Sequence, residues 1–213
     1  MSKRLIIMRH GQTDWNVENR FQGHTDIPLN AIGRAQVARA ASILASQDID
    51  HIISSDLQRA FDTAAAVAAM KKLKVVADPQ LRETHCGNWE GRTGPDIEAS
   101  DGENLARWFA GEDIPAGGDG ERRSDVVKRM MSAIERGLSE SADGQTLLVV
   151  THGGAARGAI GALLGLAISD WVAIGGLANA SWSIVEERNA RWRLIEHNSG
   201  VLPEPILGQE SSQ

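Results

Sequence analysis

Short apolar runs alternate along this chain with longer stretches of helical period. Leu5-Ile6-Ile7-Met8 and Leu147-Leu148-Val149-Val150 are near copies, each bounded by polar, glycine-containing sequence. Runs this short and continuous suit strands covered on both faces. Ile32, Ala35, Val37, Ala38, Ala41 and Leu44 give residues 31–44 a helical spacing, and Leu57 to Met70 repeats it. Asp50 to Ser54 reads as a strand feeding that second helix, with Ser55 or Asp56 as its N-cap. Val126, Val127, Met130, Met131, Ile134 and Leu138 form an apolar stripe that predicts a long helix over 124–141, and a glycine-rich helix is expected over 153–164. Ala180 to Val185 and Arg191 to Ile195, flanking Glu186 to Ala190, signal a hairpin. Thr93 to Arg123, with Pro95 and Pro115, should hold short helices and an irregular loop near 110–120 that covers a site. The pattern predicts a single-domain α/β fold over 1–202, with a mainly parallel central sheet flanked by helices, followed by a polar tail at 203–213.

Composition narrows the function. The 213 residues are 42% hydrophobic and 23% charged, enough for one sizeable core. The net charge of −6 lacks the broad basic field that nucleic acid binding relies on, so no nucleic acid partner is expected. One cysteine, Cys86, rules out an intrachain disulfide and fits a reducing compartment. No apolar run reaches the roughly 18 residues a membrane span needs, and Leu5 to Met8 ends at Arg9-His10 without a small-residue cleavage site. A cytoplasmic protein with no membrane association is the expectation.

The chemistry concentrates where strands end. The first strand runs into Arg9-His10-Gly11, the Leu147 strand into Thr151-His152-Gly153-Gly154, and the Asp50 strand into a helix carrying Arg59 in its first turn. Ligands of open α/β sheets gather at this carboxyl edge, and the helix opening at Gly153 would offer free N–H groups to an anion. Two arginines, two histidines and helix N-termini make a pocket for a dianionic tetrahedral group, because guanidinium forks match phosphate oxygens. A leaving alcohol would need a proton donor, and Glu83 is the candidate acid.

These residues also resemble a known family. Arg9-His10-Gly11, Ser54-Ser55-Asp56-Leu57-x-Arg59-Ala60-x-x-Thr63-Ala64, Leu81-Arg82-Glu83 with Gly87-x-Trp89-Glu90-Gly91, and Thr151-His152-Gly153-Gly154 are similar, in order, to the motifs of the histidine phosphatase (phosphoglycerate mutase-like) superfamily. The resemblance implies that His10 is a nucleophile forming a phosphohistidine, that Arg9, Arg59 and His152 clamp the phosphoryl oxygens, and that Glu83 donates the proton. It adds phosphate or substrate contacts at Asn16, Gln22 and Gly23, and Gly153 is grouped with them. Shorter stretches, Leu81 to Gly91 and Gly175 to Trp182, resemble the glucosyl-3-phosphoglycerate phosphatases, which implies a small phosphorylated metabolite as partner and a homodimer. One departure is Arg122, in Gly120-Glu121-Arg122-Arg123-Ser124-Asp125, where such proteins carry serine.

Other readings compete. His85 could touch substrate or hold its loop through a backbone hydrogen bond. His24, His51 and His197 read as surface or loop histidines, and Arg20, Arg34 and Arg82 as scaffold charges. A metal site is disfavoured by histidine spacing, and no cofactor is expected. Trp15, Trp89 and Trp108 lie nearest the expected mouth. Mutases of this superfamily follow the acid with Arg-His-Tyr-Gly, whereas this chain reads Glu83-Thr84-His85-Cys86-Gly87 and has no tyrosine, which favours hydrolysis. An α-ribazole phosphatase and a non-catalytic phospho-ligand module are the remaining alternatives.

Overall fold

The computed structural model describes residues 3–142 and 144–200; the polar tail at 203–213 lies outside them. Six strands form one sheet: β1 (Arg4–Arg9), β2 (His51–Ser54), β3 (Val75–Ala77), β4 (Thr146–Thr151), β5 (Trp182–Arg188) and β6 (Arg191–Ser199). Their order is β3-β2-β4-β1-β5-β6. The first four run parallel, and the β5–β6 hairpin adds an antiparallel edge. The helices are α1 (Asp14–Val17), α2 (Ala31–Leu44), α3 (Gln58–Lys71), α4 (Gly94–Phe109), α5 (Arg123–Ser139) and α6 (Gly153–Leu163).

The two apolar runs that opened the sequence reading are the paired central strands β1 and β4. Alternate side chains enter opposite cores, as strand geometry requires. Leu5, Ile7, Leu147 and Val149 meet α5 and α6 on one face. Ile6, Met8, Leu148 and Val150 meet α2 and α3 on the other. All eight are fully buried, which is why neither run shows polar alternation.

Several expectations need correction. The first residue of α3 is Gln58, capped by neither Ser55 nor Asp56; Leu57 occupies the N-cap position and Asp26 Oδ1 accepts the Gln58 N–H at 2.8 Å from a distant loop. The segment after Thr93 does hold short helices, two of them joined across a kink within α4, with irregular backbone after them. Thr93 and Asp96 form a capping box, Pro95 sits in the first turn, and the axis breaks at Asp101 (φ −148°, ψ 36°). The hairpin connection shrinks to Asn189-Ala190, both left-handed at φ 53° and 57°, as a two-residue turn between twisted strands requires. The short edge strand β3 has no counterpart in the sequence reading, since two of its three residues are exposed. Trp89 is a core residue, and Trp108 shares its packing while also lining a cavity beside Glu83. They pack edge to face at 6.0 Å in a small third core with Ile97, Leu105, Cys86 and Ala116.

Leu148 is sealed on both sides, whereas Ile32 is 58% exposed on α2. Leu148→Ala should therefore cost about 2–5 kcal/mol in urea unfolding, and Ile32→Ala within about 0.5 kcal/mol. Comparable losses would show that the core lies elsewhere.

Candidate active site

β1 and β4 pair in register with Arg9 opposite Thr151, so both chains leave the sheet at the same edge. His10 N–H donates to Thr151 C=O at 3.0 Å, and the rings of His10 and His152 lie 5.1 Å apart, edge to face. His10 Nδ1 is 2.6 Å from the Gly11 carbonyl. A carbonyl only accepts, so Nδ1 carries the proton and Nε2 presents a lone pair. Burial, reinforced by the cations of Arg59 and Arg9, holds the His10 pKa well below the ordinary imidazole value. The ring is neutral and nucleophilic.

Arg59, on the first turn of α3, is completely buried. Its Nε donates to His152 Nδ1 at 3.2 Å, and its two terminal nitrogens donate to Thr25 C=O and Gly23 C=O, both at 2.8 Å. His152 therefore carries its proton on Nε2, 2.9 Å from Ser55 Oγ, the tautomer opposite to that of His10. Burial, then Arg59 and His10, lower its pKa well below the usual value. Burial also lowers Arg59 to about 10, leaving it cationic at neutral pH. Arg9 donates to Leu177 C=O at 2.7 Å, while its Nε is buried without a partner. Gly153 lies against this group, since a Cβ there would stand 3.5 Å from Arg9 Nε.

The start of α6 holds an unexpected anion. Glu83 Oε1 accepts N–H groups of Thr84 and Ala155, and Oε2 accepts that of Gly154, all at 2.9 Å. The helix terminus expected to face a phosphoryl group is occupied by this carboxylate, a favourable position against the helix dipole. Gly154 is needed here because a Cβ would lie 2.8 Å from Glu83 Oε1.

Asn16 is linked to His10 through Asn179. Asn16 Oδ1 accepts from Thr13 N–H, Thr13 Oγ1 and Asn179 Nδ2, and the same Asn179 amide donates to His10 C=O at 3.2 Å. Gln22 is nearly buried with its Oε1 unpartnered. Gly23 has φ +48° and sits so close to Glu90 that a Cβ would fall 2.0 Å from Oε1. His85 holds its loop through its main chain. Its N–H donates to Glu121 Oε2 at 2.8 Å, its C=O accepts Glu121 N–H at 2.9 Å, and its ring stacks edgewise on His24.

Several positioning residues were not singled out from sequence. Arg129 donates to Gln80, Arg82 and Glu83 carbonyls at 2.7–2.8 Å while pairing with Glu121, fixing the loop that carries the acid. His24, expected to be a plain loop residue, is half-buried and lies 2.9 Å from Glu83 C=O through Nε2. Glu90 binds Thr25 Oγ1 and the N–H groups of His24, Thr25 and Cys86. Burial opposes its ionisation, but these bonds prevail and hold its pKa below the usual carboxylate value. Thr63 links Gly11 N–H to Arg59 C=O. The i, i+8 placement of Glu121 and Arg129 was visible, but nothing in it pointed at Glu83. Among the described residues, no three His, Cys, Asp or Glu side chains are grouped to hold a metal ion.

Residues 5–200 match the model of the histidine phosphatase superfamily, branch 1. The chain belongs to that superfamily. It is similar to the glucosyl-3-phosphoglycerate phosphatase of Mycobacterium tuberculosis, with 38% identity over 94% of this chain and 96% of the relative. A solved structure of mycobacterial glucosyl-3-phosphoglycerate phosphatase complexed with VO3 superposes with a TM-score of 0.86 at 39% identity, covering 92% and 99% of the two chains. The metal-independent phosphoserine phosphatase of Arabidopsis thaliana is 31% identical over 92% of this chain and 84% of its own. The α/β fold with its mostly parallel sheet is thus the fold of this superfamily.

The lowered histidines set a pH dependence. Below about pH 6.5 the unfolded chain binds protons that folded His10 and His152 refuse, so stability is unpenalised above that value and falls as pH drops beneath it. The urea midpoint should be lower at pH 5 than at pH 7, and His10→Gln should shrink that difference. An unchanged difference in the variant would mean that His10 titrates normally.

Proposed function

We propose that this chain is a phosphomonoesterase that passes the phosphoryl group through His10, and that its substrate is glucosyl-3-phosphoglycerate. The observation carrying the mechanism is the neutral His10 ring, protonated on Nδ1 and open at Nε2, among the Arg9 and Arg59 cations and His152. The relatives support the substrate: the two activities they are named for both cleave phosphomonoesters whose alcohol bears a carboxylate.

In the first step, Nε2 of His10 attacks phosphorus and forms a P–N bond as the P–O bond to the alcohol breaks. Glu83 gives its proton to the departing oxygen. Water then attacks phosphorus, loses its proton to Glu83, and releases phosphate as the P–N bond breaks. His10 keeps its Nδ1 proton throughout. Arg9, Arg59 and His152 stabilise the charge on the transferring oxygens, with Asn16, Gln22 and Gly23 completing the pocket. The centre works with cationic side chains in the role that a metal ion has elsewhere.

His10→Ala removes the covalent route, so turnover should fall to background and labelled substrate should leave no phosphate on the protein. Full activity, or label on another residue, would refute the nucleophile. Glu83→Gln keeps shape but has no acidic proton. Single-turnover phosphorylation of His10 should slow steeply, by roughly 10²-fold or more, for alkyl phosphates and only slightly for p-nitrophenyl phosphate, whose leaving group is already a stable anion. Equal losses for both would make Glu83 an organising residue.

A further inference from the structure

Beside Glu83 lies a cavity of about 120 Å³ between the end of α4, α5, α6 and the single turn Ile168–Ala173. Thr84 and Gly154, whose N–H groups hold the Glu83 carboxylate, form its inner wall. Trp108 and Trp171 supply apolar sides, and its two ionisable residues are both cations, Arg123 and Arg157. It is smaller than the roughly 300–1,000 Å³ that drug-sized ligands fill, and suits a fragment of a few heavy atoms.

The two arginines differ in how they are satisfied. Arg123 lies 3.7 Å over the Trp108 ring and donates to Glu112 and Trp108 carbonyls. Arg157, on the second turn of α6, enters no hydrogen bond or ion pair among the described residues, and its Nε is buried without a partner. Gly176 makes room for it, since a Cβ there would come within 3.1 Å of Nη2. An unpaired, partly buried guanidinium is unfavourable in an empty protein and calls for an anion to complete it. Arg157 also stands near enough to Arg9 and Arg123 for its charge to act on both. Arg9, Arg157 and Arg123 therefore form a line of cations between the His10 centre and the cavity that borders the Glu83 loop.

We propose that Arg157, supported by Arg123, binds a carboxylate on the alcohol half of the substrate, so that the enzyme selects phosphomonoesters of small hydroxy acids. This rests on the phosphatase assignment above and adds the residue that sets specificity. A guanidinium fork pairs bidentately with a carboxylate, and the apolar lining of Trp108 and Trp171 limits the water around the pair.

The test compares 3-phosphoglycerate with glycerol 3-phosphate, which differ by the carboxylate, in wild type, Arg157→Met and Arg157→Lys. Wild type should prefer the acid in kcat/KM, and Arg157→Met should cut the acid-over-neutral ratio roughly 10-fold or more, mainly through KM. Arg157→Lys, which keeps charge but loses the fork, should restore part of that ratio. A wild-type ratio near one, or equal losses on both substrates in Arg157→Met, would overturn the proposal. A second measurement needs no variant: glycerate should inhibit the wild type competitively and glycerol should not, and equal inhibition by the two would also overturn it. Failure of the wild type to hydrolyse any phosphomonoester, p-nitrophenyl phosphate included, would instead defeat the phosphatase assignment, and the carboxylate subsite with it.

Discussion

A guanidinium sealed inside the protein and bonded only to neutral partners organises this site. Arg59 reaches Gly23, Thr25 and His152, three groups from two segments distant from it in sequence, and each supplies one acceptor to one of its nitrogens. Removing such a charge from water is costly, so its placement constrains everything around it. Both loop carbonyls must face inward, His152 must present an unprotonated Nδ1, and both imidazoles are held neutral by burial, reinforced by the cation beside them. The charge left over is available to a bound phosphoryl group.

The loops that complete the pocket are held by polar groups more than by apolar packing. Glu90 gathers the N–H groups of His24, Thr25 and Cys86, and Arg129 gathers the carbonyls of Gln80, Arg82 and Glu83. One residue acts as a common acceptor and the other as a common donor. Backbone groups that would otherwise stay unpaired in irregular segments are satisfied in this way. Loop geometry is thereby specified without regular secondary structure, and Glu83 is delivered to the start of α6. Asn179 does the same for Asn16 and His10, tying the segment before β5 to the end of β1.

Net charge and local charge point in opposite directions. The chain carries −6 overall, yet Arg9 and Arg59 stand near enough to Glu83 to feel its charge, and Arg123 and Arg157 line the cavity beside it. An acidic exterior excludes broad polyanion binding, whereas an enclosed cationic cluster suits a small dianion, because partial burial leaves its field little screened.

The sequence by itself determined the layers and the principal chemical groups. Residues 31–44, 124–141 and 153–164 announced α2, α5 and α6 through the spacing of their apolar positions, and Leu5–Met8 and Leu147–Val150 announced central strands by having no polar alternation. His10 and His152 were legible because each follows directly on a strand, and Arg59 because it lies in the first turn of the helix that follows β2, so that local connectivity puts all three at the carboxyl edge. Tertiary structure decided the tautomers, the occupant of the α6 terminus, and the contacts of Glu90, Arg129 and Asn179. Those depend on contacts between residues tens of positions apart, 71 in the case of Glu83 with Gly154. Periodicity carries information about which face of an element is buried. It carries none about which carbonyl or carboxylate waits on the far side, and that pairing is settled only when the chain is packed.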